Sequence, residues 1–388
     1  MWMENFIHYN PTKILFGKDV VDDICQEISP YGKRALLIIG KGSVKQNGIY
    51  ARVISLMNIC GLEHYTFEGI QSNPTFQDAD AAVKLAKEKQ VDMIVALGGG
   101  SVIDTAKAVA AGFYVEHSVW DFYLRKASTP KKALPIIAIL TLAATGSEMN
   151  SATVLQDSEN GIKTAILNDL LYPKVSFLDP KLTASVPLNY TAYGVVDLIA
   201  HALEQFFGKG NAPLTDHYTA DIIKLAMSYG RKVMVQPEDY DTRAQIMWLA
   251  TNALNGTLSA GKSPGDWGVH HIEHTLSVLY DIPHGAGLSI VYPAWLKIQL
   301  PKIKEKLAFL AKHVFEFTSI DDEALGLDFI TALEAFFKEM NSPISLTEAG
   351  INIKEKQRIL NNLAQNKVSG MVYPLTEKDH QEIVEEMF

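Results

Sequence analysis

The sequence predicts an α/β domain followed by an all-helical one, and three observations carry that prediction. Across the first 180 residues, short β-rich apolar runs alternate with stretches whose apolar residues recur at helical spacing. After Asp179-Pro180 the β-branched runs largely disappear and long helical segments follow. At 388 residues the chain exceeds one ordinary core, so two domains of roughly 150–200 residues are expected. The division is placed at 1–181 for the α/β part, built on a Rossmann-like parallel sheet, and 182–388 for the helical part.

Taken in order, ALLIIG (35–40) reads as a buried strand, and GIYARVISLMNIC (48–60) follows as a helix. HYTFEG (64–69) is a further strand and FQDADAAVKLAKEKQ (76–90) a helix. VDMIVALG (91–98) is a continuous apolar run, as suits a strand buried on both faces. SVIDTAKAVAAG (101–112) is expected as a helix capped by Ser101 and closed by Gly112. LPIIAIL (134–140) completes a βαβ series with helices on both faces of the sheet. In the second half, TAYGVVDLIAHALEQFF (191–207), HYTADIIKLAMSYGRKVM (217–234) and DTRAQIMWLATNAL (241–254) read as helices. Others follow from KIKEKLAFLAKHVF (302–315) to the C-terminus.

Bulk properties exclude several classes. A formal net charge of -9 argues against a nucleic-acid partner. The longest apolar run, ALPIIAILTLAA (133–144), is too short to span a bilayer, and the opening MWMENFIHYN lacks the layout of a signal peptide. With Cys25 and Cys60 the only cysteines, neither a disulfide framework nor a thiolate metal site is expected, and the reduced cytoplasm is the expected compartment.

ALGGGSVIDTAKA (96–108) is the sharpest signal in the first half: a buried strand ends, three glycines turn the chain and a helix begins. Glycines let backbone N–H groups approach an anion, and the helix start adds positive partial charge, so the turn reads as a diphosphate cradle. It is neither the G-x-G-x-x-G fingerprint nor a P-loop. A tight strand-to-helix turn with no ligand is the alternative. TLAATGSEMN (141–150) is a second hydroxyl-rich loop after a buried strand. Parallel sheets bind ligands at the carboxyl ends of their strands, so two such loops favour a dinucleotide.

The second half concentrates imidazoles. Asp197 and His201 lie four residues apart on one helical face among apolar neighbours, where a buried carboxylate and imidazole need a compensating charge. A divalent cation supplies one; a simple Asp–His hydrogen bond is the alternative. HHIEHTLSVLYDIPHG (270–285) holds His270 and His274 four apart, with Pro283-His284-Gly285 expected as a turn and His271 pointing away. Three neutral imidazoles and one carboxylate would give a site of net charge near +1 with a divalent ion, suited to Zn²⁺ or Fe²⁺. His270 to His274 also fits H-x-x-E-H, in which Glu273 would be the general base of a zinc metalloprotease. That alternative leaves the glycine turn and the Asp197–His201 pair unexplained.

Together these pieces resemble the iron-containing (group III) alcohol dehydrogenases, most closely their butanol-dehydrogenase or aldehyde-reductase branch. The resemblance runs through Asn73-Pro74, GGGSVIDTAK, TGSEMN, FLDPKLTASVP, YGVVDLIAHALE and HHIEHTLSVLYDIPHGAG. It implies a dehydroquinate synthase-like architecture and one divalent metal held by Asp197, His201, His270 and His284. It places His274 beside substrate and nicotinamide as a non-ligand and candidate proton relay. Gly98, Gly99, Gly100, Ser101, Asp104, Thr141, Thr145, Ser147, Asn150 and Lys163 fall in the family's dinucleotide cleft, with Asn73 a weaker correspondence. Ala143 stands where this branch usually has proline. The implied activity is hydride transfer between NAD(P)H and a small aliphatic aldehyde or alcohol, by a protein that is commonly a homodimer. Trp120, Tyr123, Trp267 and Tyr280 are candidates for a pocket wall.

Coenzyme preference turns on IIGKGSVKQNG (38–48). An acid after an early strand usually receives the adenosine ribose hydroxyls and repels a 2′-phosphate. Here Gly40-Lys41-Gly42-Ser43 and Lys45 follow the strand and no acid is expected in reach, so NADP(H) is the preferred coenzyme, with NAD(H) accepted more weakly.

Overall fold

The computed structural model describes residues 2–262 and 264–388. The chain divides into two compact units. The α/β unit comprises Tyr9–Val186 and Glu238–Thr251; the helical unit comprises the residues through His8, Pro187–Pro237 and Asn252–Phe388. The division therefore falls at 186/187 rather than 181/182, and two segments change sides. Segment 238–251 joins the α/β unit because its side chains pack there. Met247 enters the sheet's core, the Trp248 ring lies 5.8 Å from that of Phe16, and Thr251 donates a 2.6 Å hydrogen bond to buried Glu148. A change of texture along the sequence cannot reveal a helix returning to an earlier core.

In the α/β unit the strands are β1 (Lys13–Phe16), β2 (Arg34–Gly40), β3 (Glu63–Ile70), β4 (Met93–Gly98), β5 (Ile136–Leu140), β6 (Ala152–Asp157), β7 (Ile162–Leu167) and β8 (Val175–Leu178). Six form one sheet in the order β1-β8-β5-β4-β2-β3, every pair parallel; β6 and β7 make a separate antiparallel hairpin. The helices are α1 (Ile24–Ile28), α2 (Ser43–Gln46), α3 (Ile49–Ile59), α4 (Phe76–Glu88), α5 (Gly100–Gly112) and α6 (Trp120–Tyr123). Strand alternation sorts the core between the two faces. Leu37, Ile39, Val95 and Leu97 pack with α1 and α3, while Leu36, Ile38, Ile94 and Ala96 pack with α4 and α5.

Two expectations need correction here. Ser101 does not cap α5: the helix starts at Gly100 after Gly99, and Ser101 Oγ donates to Ser72 O. Cys25 and Cys60 form a disulfide, their Cα atoms 5.2 Å apart. The sheet brings α1 alongside the C-terminal end of α3, so cysteines 35 residues apart in sequence become neighbours.

The helical unit is built on α7 (Leu188–Phe206) and α8 (Pro213–Val235), followed after α9 (Tyr240–Ala253) by α10 (Gly268–Tyr280), α11 (His284–Val314), α12 (Asp322–Glu339), α13 (Lys356–Gln365) and α14 (Glu377–Glu386). Its core is aromatic: Phe207, Tyr292, Trp295, Phe329, Phe336 and Phe337 are fully buried. Tyr292 on α11 reaches Ala200 O on α7 with its hydroxyl at 3.1 Å. The turn expected at Pro283-His284-Gly285 closes one residue earlier, since Pro283 is the N-cap and His284 the first residue of α11. Among the described residues no helix is long and apolar enough to cross a membrane.

Candidate metal and coenzyme sites

In the helical unit, three elements deliver side chains to one point. Asp197 and His201 sit one turn apart on α7, and His270 lies on α10, all three buried. His284 enters from the first turn of α11. Its approach depends on Gly285, where a Cβ would lie 2.1 Å from Tyr193 O on α7. Oδ1 of Asp197 is 3.5 Å from His201 Nδ1, 3.9 Å from His270 Nε2 and 3.7 Å from His284 Nε2. These separations are too long for hydrogen bonds. They match the spacing of ligands around a shared ion, since donors about 2.1 Å from a tetrahedral centre lie about 3.4 Å apart.

The donor set fits a divalent cation. Asp197, His201 and His270 each offer a ligand atom within 4.8 Å of the others, and His201 Nδ1 and His270 Nε2 are buried without a hydrogen bond. Burial, then the neighbouring His270 and His284, pushes the His201 imidazole well below its ordinary pKa, which keeps its ring neutral and its lone pair available.

Two further carboxylates stand behind the rings. Glu204, one turn beyond His201 on α7, accepts from the Nδ1–H of His270 at 2.9 Å, from its backbone N–H at 3.1 Å, and from the N–H of Trp267. Trp267 adopts a left-handed φ of 62°, a strained setting for a bulky residue that is held at the site itself. Glu273 accepts from His284 Nδ1–H and from Ser277 Oγ–H. A carboxylate on Nδ1 fixes the tautomer and turns Nε2 outward as a bare lone pair. Glu204 was missed in the sequence, although Asp197, His201 and Glu204 follow i, i+4, i+7 on one helical face.

This geometry removes the H-x-x-E-H reading. Glu273 is fully buried against His284 and Ser277 and cannot face a substrate water. His274 is partly exposed, its ring 5.9 Å from that of His284. His271 lies 2.9 Å from Ser369 O through Nδ1. Trp267 flanks His270 at 5.2 Å, whereas Tyr280 bonds Glu355 at 3.0 Å, and Trp120 stacks between Phe76 and Tyr123 in the α/β core.

In the α/β unit the expected loops gather at the carboxyl ends of β4 and β5. Their packing explains the three glycines: a Cβ on Gly98 would lie 2.5 Å from Val102, on Gly99 3.1 Å from Leu142, and on Gly100 2.5 Å from Thr145. Gly100 and Thr145 thus press the two loops together. Ser147 N–H donates to Thr145 Oγ1 at 3.2 Å, and Ser147 Oγ–H to Asp104 Oδ1 at 2.6 Å. Asp104 Oδ2 accepts from Val154 N–H at 2.9 Å. Asn150 is buried, its Nδ2 donating to Gly146 O at 2.9 Å. Asp104 and Asn150 therefore shape the loop.

Lys107 was not singled out in the sequence, yet it ties this region together. It is fully buried, and its ammonium donates to Ser147 Oγ at 2.8 Å, Asn150 Oδ1 at 3.0 Å and Ala152 O at 2.8 Å. Its three N–H donors are thereby satisfied. Burial lowers its pKa to about 8, against the opposing pull of Asp104 and Glu148. Lys163 Nζ, on β7, donates to Asn73 Oδ1 at 3.0 Å.

The loop after β2 departs from expectation. Gly40 ends the strand, Lys41 is exposed, Gly42 takes a φ of 136°, and Ser43 opens the short α2. An acid is in reach after all: Lys45 forms an ion pair with Glu68 near the end of β3. The window 38–48 contains no acid because this one arrives from the neighbouring strand.

Known proteins resemble the chain along nearly its whole length. The pattern described as "Iron-containing alcohol dehydrogenase" matches residues 11–180, and "Fe-containing alcohol dehydrogenase family, C-terminal" matches 191–388. The chain is 38% identical to the probable NADH-dependent butanol dehydrogenase 1 of Bacillus subtilis, covering 97% of this chain and 98% of that protein. It is 34% identical to the NADPH-dependent aldehyde reductase YqhD of Escherichia coli, covering 94% of each. The crystal structure of NADH-dependent butanol dehydrogenase A from Thermotoga maritima superposes with a TM-score of 0.97 at 38% identity, covering 100% of this chain and 99% of that one.

Proposed function

The chain belongs to the iron-containing alcohol dehydrogenase family, and from that premise we propose that it is a metal-dependent alcohol dehydrogenase and aldehyde reductase. In the reductive direction a small aliphatic aldehyde, NAD(P)H and a proton give the alcohol and NAD(P)⁺. The observation that carries this reading is the convergence of three imidazole nitrogens, 3.5 to 3.9 Å away, on one oxygen of Asp197.

Asp197, His201, His270 and His284 would hold one Fe²⁺ or Zn²⁺. Bound there, such an ion supplies Lewis acidity toward a carbonyl or hydroxyl oxygen, and a bound nicotinamide supplies or accepts the hydride. Glu204 and Glu273 keep His270 and His284 in the ligating tautomer, so the donors need not reorganise during turnover. His274, partly exposed and one ring beyond His284, carries the proton between the product oxygen and solvent. In the α/β unit, Gly98, Gly99, Gly100 and Ser101 receive the diphosphate at the start of α5. Thr141, Thr145 and Ser147 line the adjoining loop, and Asn73 and Lys163 close its far side. Gly40 to Ser43 take the adenosine end, with NADP(H) favoured through Lys41 and NAD(H) also accepted.

A homodimer in the cytoplasm completes the proposal; the Cys25–Cys60 bond bears on the compartment, since finding it fully formed by non-reducing mass spectrometry of protein taken directly from cells would count against a reduced cytoplasm. The deciding experiment is turnover of short aldehydes with NADPH and NADH, before chelation, after it, and after reconstitution with Fe²⁺ or Zn²⁺. Full aldehyde reduction by verified metal-free protein would overturn the reading.

A further inference from the structure

The carboxyl edge of the sheet offers one acidic side chain that the proposed function does not use. Along that edge β4 ends in the glycine turn, β2 lies beside it with Ile39 opposite Leu97, and β3 is the outer neighbour. The β2–β3 register runs Ile38 to Phe67 and then Gly40 to Ile70, so Glu68 and Gly69 together face Ile39. This is a β-bulge, with Gly69 at a φ of 105°. Bulges re-aim side chains. Here Glu68 pairs with Lys45 on α2, whose ammonium also lies 5.3 Å from the Tyr50 ring centroid. Adjacent strands are about 4.8 Å apart, so an adenosine ribose over the end of β2 has its 2′ position within reach of this pair.

Resting on the assignment of Gly40 to Ser43 to the adenosine end, we propose that Glu68 sets coenzyme choice by occupying Lys45. The pair is neutral as a unit. It withholds the ammonium from a 2′-phosphate and sets a carboxylate where that dianion would lie, so NADH remains usable although the loop itself carries only lysines.

The charge count defines the experiment. Wild type and the double variant Glu68→Gln/Lys45→Met are both neutral at this spot, Glu68→Gln is positive and Lys45→Met is negative. Dissociation constants for NADPH and NADH are measured by coenzyme fluorescence on all four holoproteins, with adenosine 2′-monophosphate as a competing probe. Glu68→Gln should shift the NADPH-to-NADH affinity ratio about tenfold toward NADPH, Lys45→Met about tenfold toward NADH, and the double variant should return close to wild type. Both shifts should shrink at about 1 M salt, where the screening length is about 3 Å. Both positions are solvent-exposed, and unchanged melting temperatures in the three variants would confirm folding. If both coenzymes bind and the ratio stays the same in all four proteins, the role of Glu68 is overturned. If wild type binds neither coenzyme, the functional reading fails instead.

Discussion

His284 donates its Nδ1–H to Glu273, a carboxylate with no solvent exposure that lies eleven residues earlier on the preceding helix. Close packing holds the acceptor in place: a Cβ on Gly287, three residues into α11, would lie 2.7 Å from Glu273 Cγ. Glu273→Gln keeps the shape and removes the charge. Metal affinity, read by competition with a chromogenic chelator, should fall about tenfold to a hundredfold. Unchanged affinity would mean that Glu273 is only packing.

The two histidines flanking this helix pair should behave oppositely. His284→Ala removes a donor aimed at Asp197, and elemental analysis should show a sharp loss of bound metal. His271→Ala removes a ring that meets the backbone at Ser369, and metal content should stay at the wild-type level. Equal metal content in the two variants would reject the ligand assignment.

His274 tests the separation of binding from proton transfer. Its ring lies 5.9 Å from that of His284, and the proposed ligand set of Asp197, His201, His270 and His284 is filled without it. His274→Ala should retain the metal and lower kcat with a modest change in KM. Metal loss in that variant would instead make His274 a ligand.

How far the sequence carries depends on whether partners share a local period. Asp197 with His201, and the glycine turn after β4, are legible because helical spacing and strand-turn-helix texture bring them together within a few residues. Glu204 obeys the same helical spacing and was readable in principle. Glu273 carried a misleading signal, because H-x-x-E-H matches a different chemistry when its helix is read alone; only the return of α11 places His284 over it. Glu68, Lys107 and the cysteine pair depend on neighbours brought by the sheet, at separations of 23, 40 to 45, and 35 residues. Strands β1 and β8 are four residues each and pair across the whole domain, too short for a periodic signal.

Gly100 separates the two sites experimentally. A Cβ there would meet Thr145 at 2.5 Å, forcing the 141–150 loop away from the glycine turn. Overpacking of this kind costs about 1–3 kcal/mol of folding stability unless the loop moves, and a loop that moves away from the glycine turn should raise the coenzyme Kd measurably. Metal content should be unchanged, because the converging imidazoles belong to the other unit. Equal loss of both would indicate general unfolding, which a thermal melt would reveal.

If the 141–150 loop holds the coenzyme as proposed, Lys107 should make coenzyme affinity depend on pH. Its ammonium spends all three donors on Ser147, Asn150 and Ala152, and an amine has only two N–H groups to offer. Burial lowers its pKa from 10.5 to about 8, so the charged form that satisfies three acceptors prevails below pH 8 and is lost above it. The sign for stability is the reverse. A depressed lysine pKa means that charging it costs folding free energy below about pH 8, and that cost fades as pH rises from 8 toward 10.5. Overall stability should therefore gain from this group over that window, while coenzyme affinity falls as the loop loses a hydrogen bond. Lys107→Met should bind coenzyme more weakly at pH 7 and show neither trend, since it carries no proton to lose. Titrating NAD(P)H affinity and melting temperature from pH 6.5 to 9.5 in both proteins distinguishes the cases. Parallel pH profiles for wild type and variant would remove Lys107 from the account of the loop.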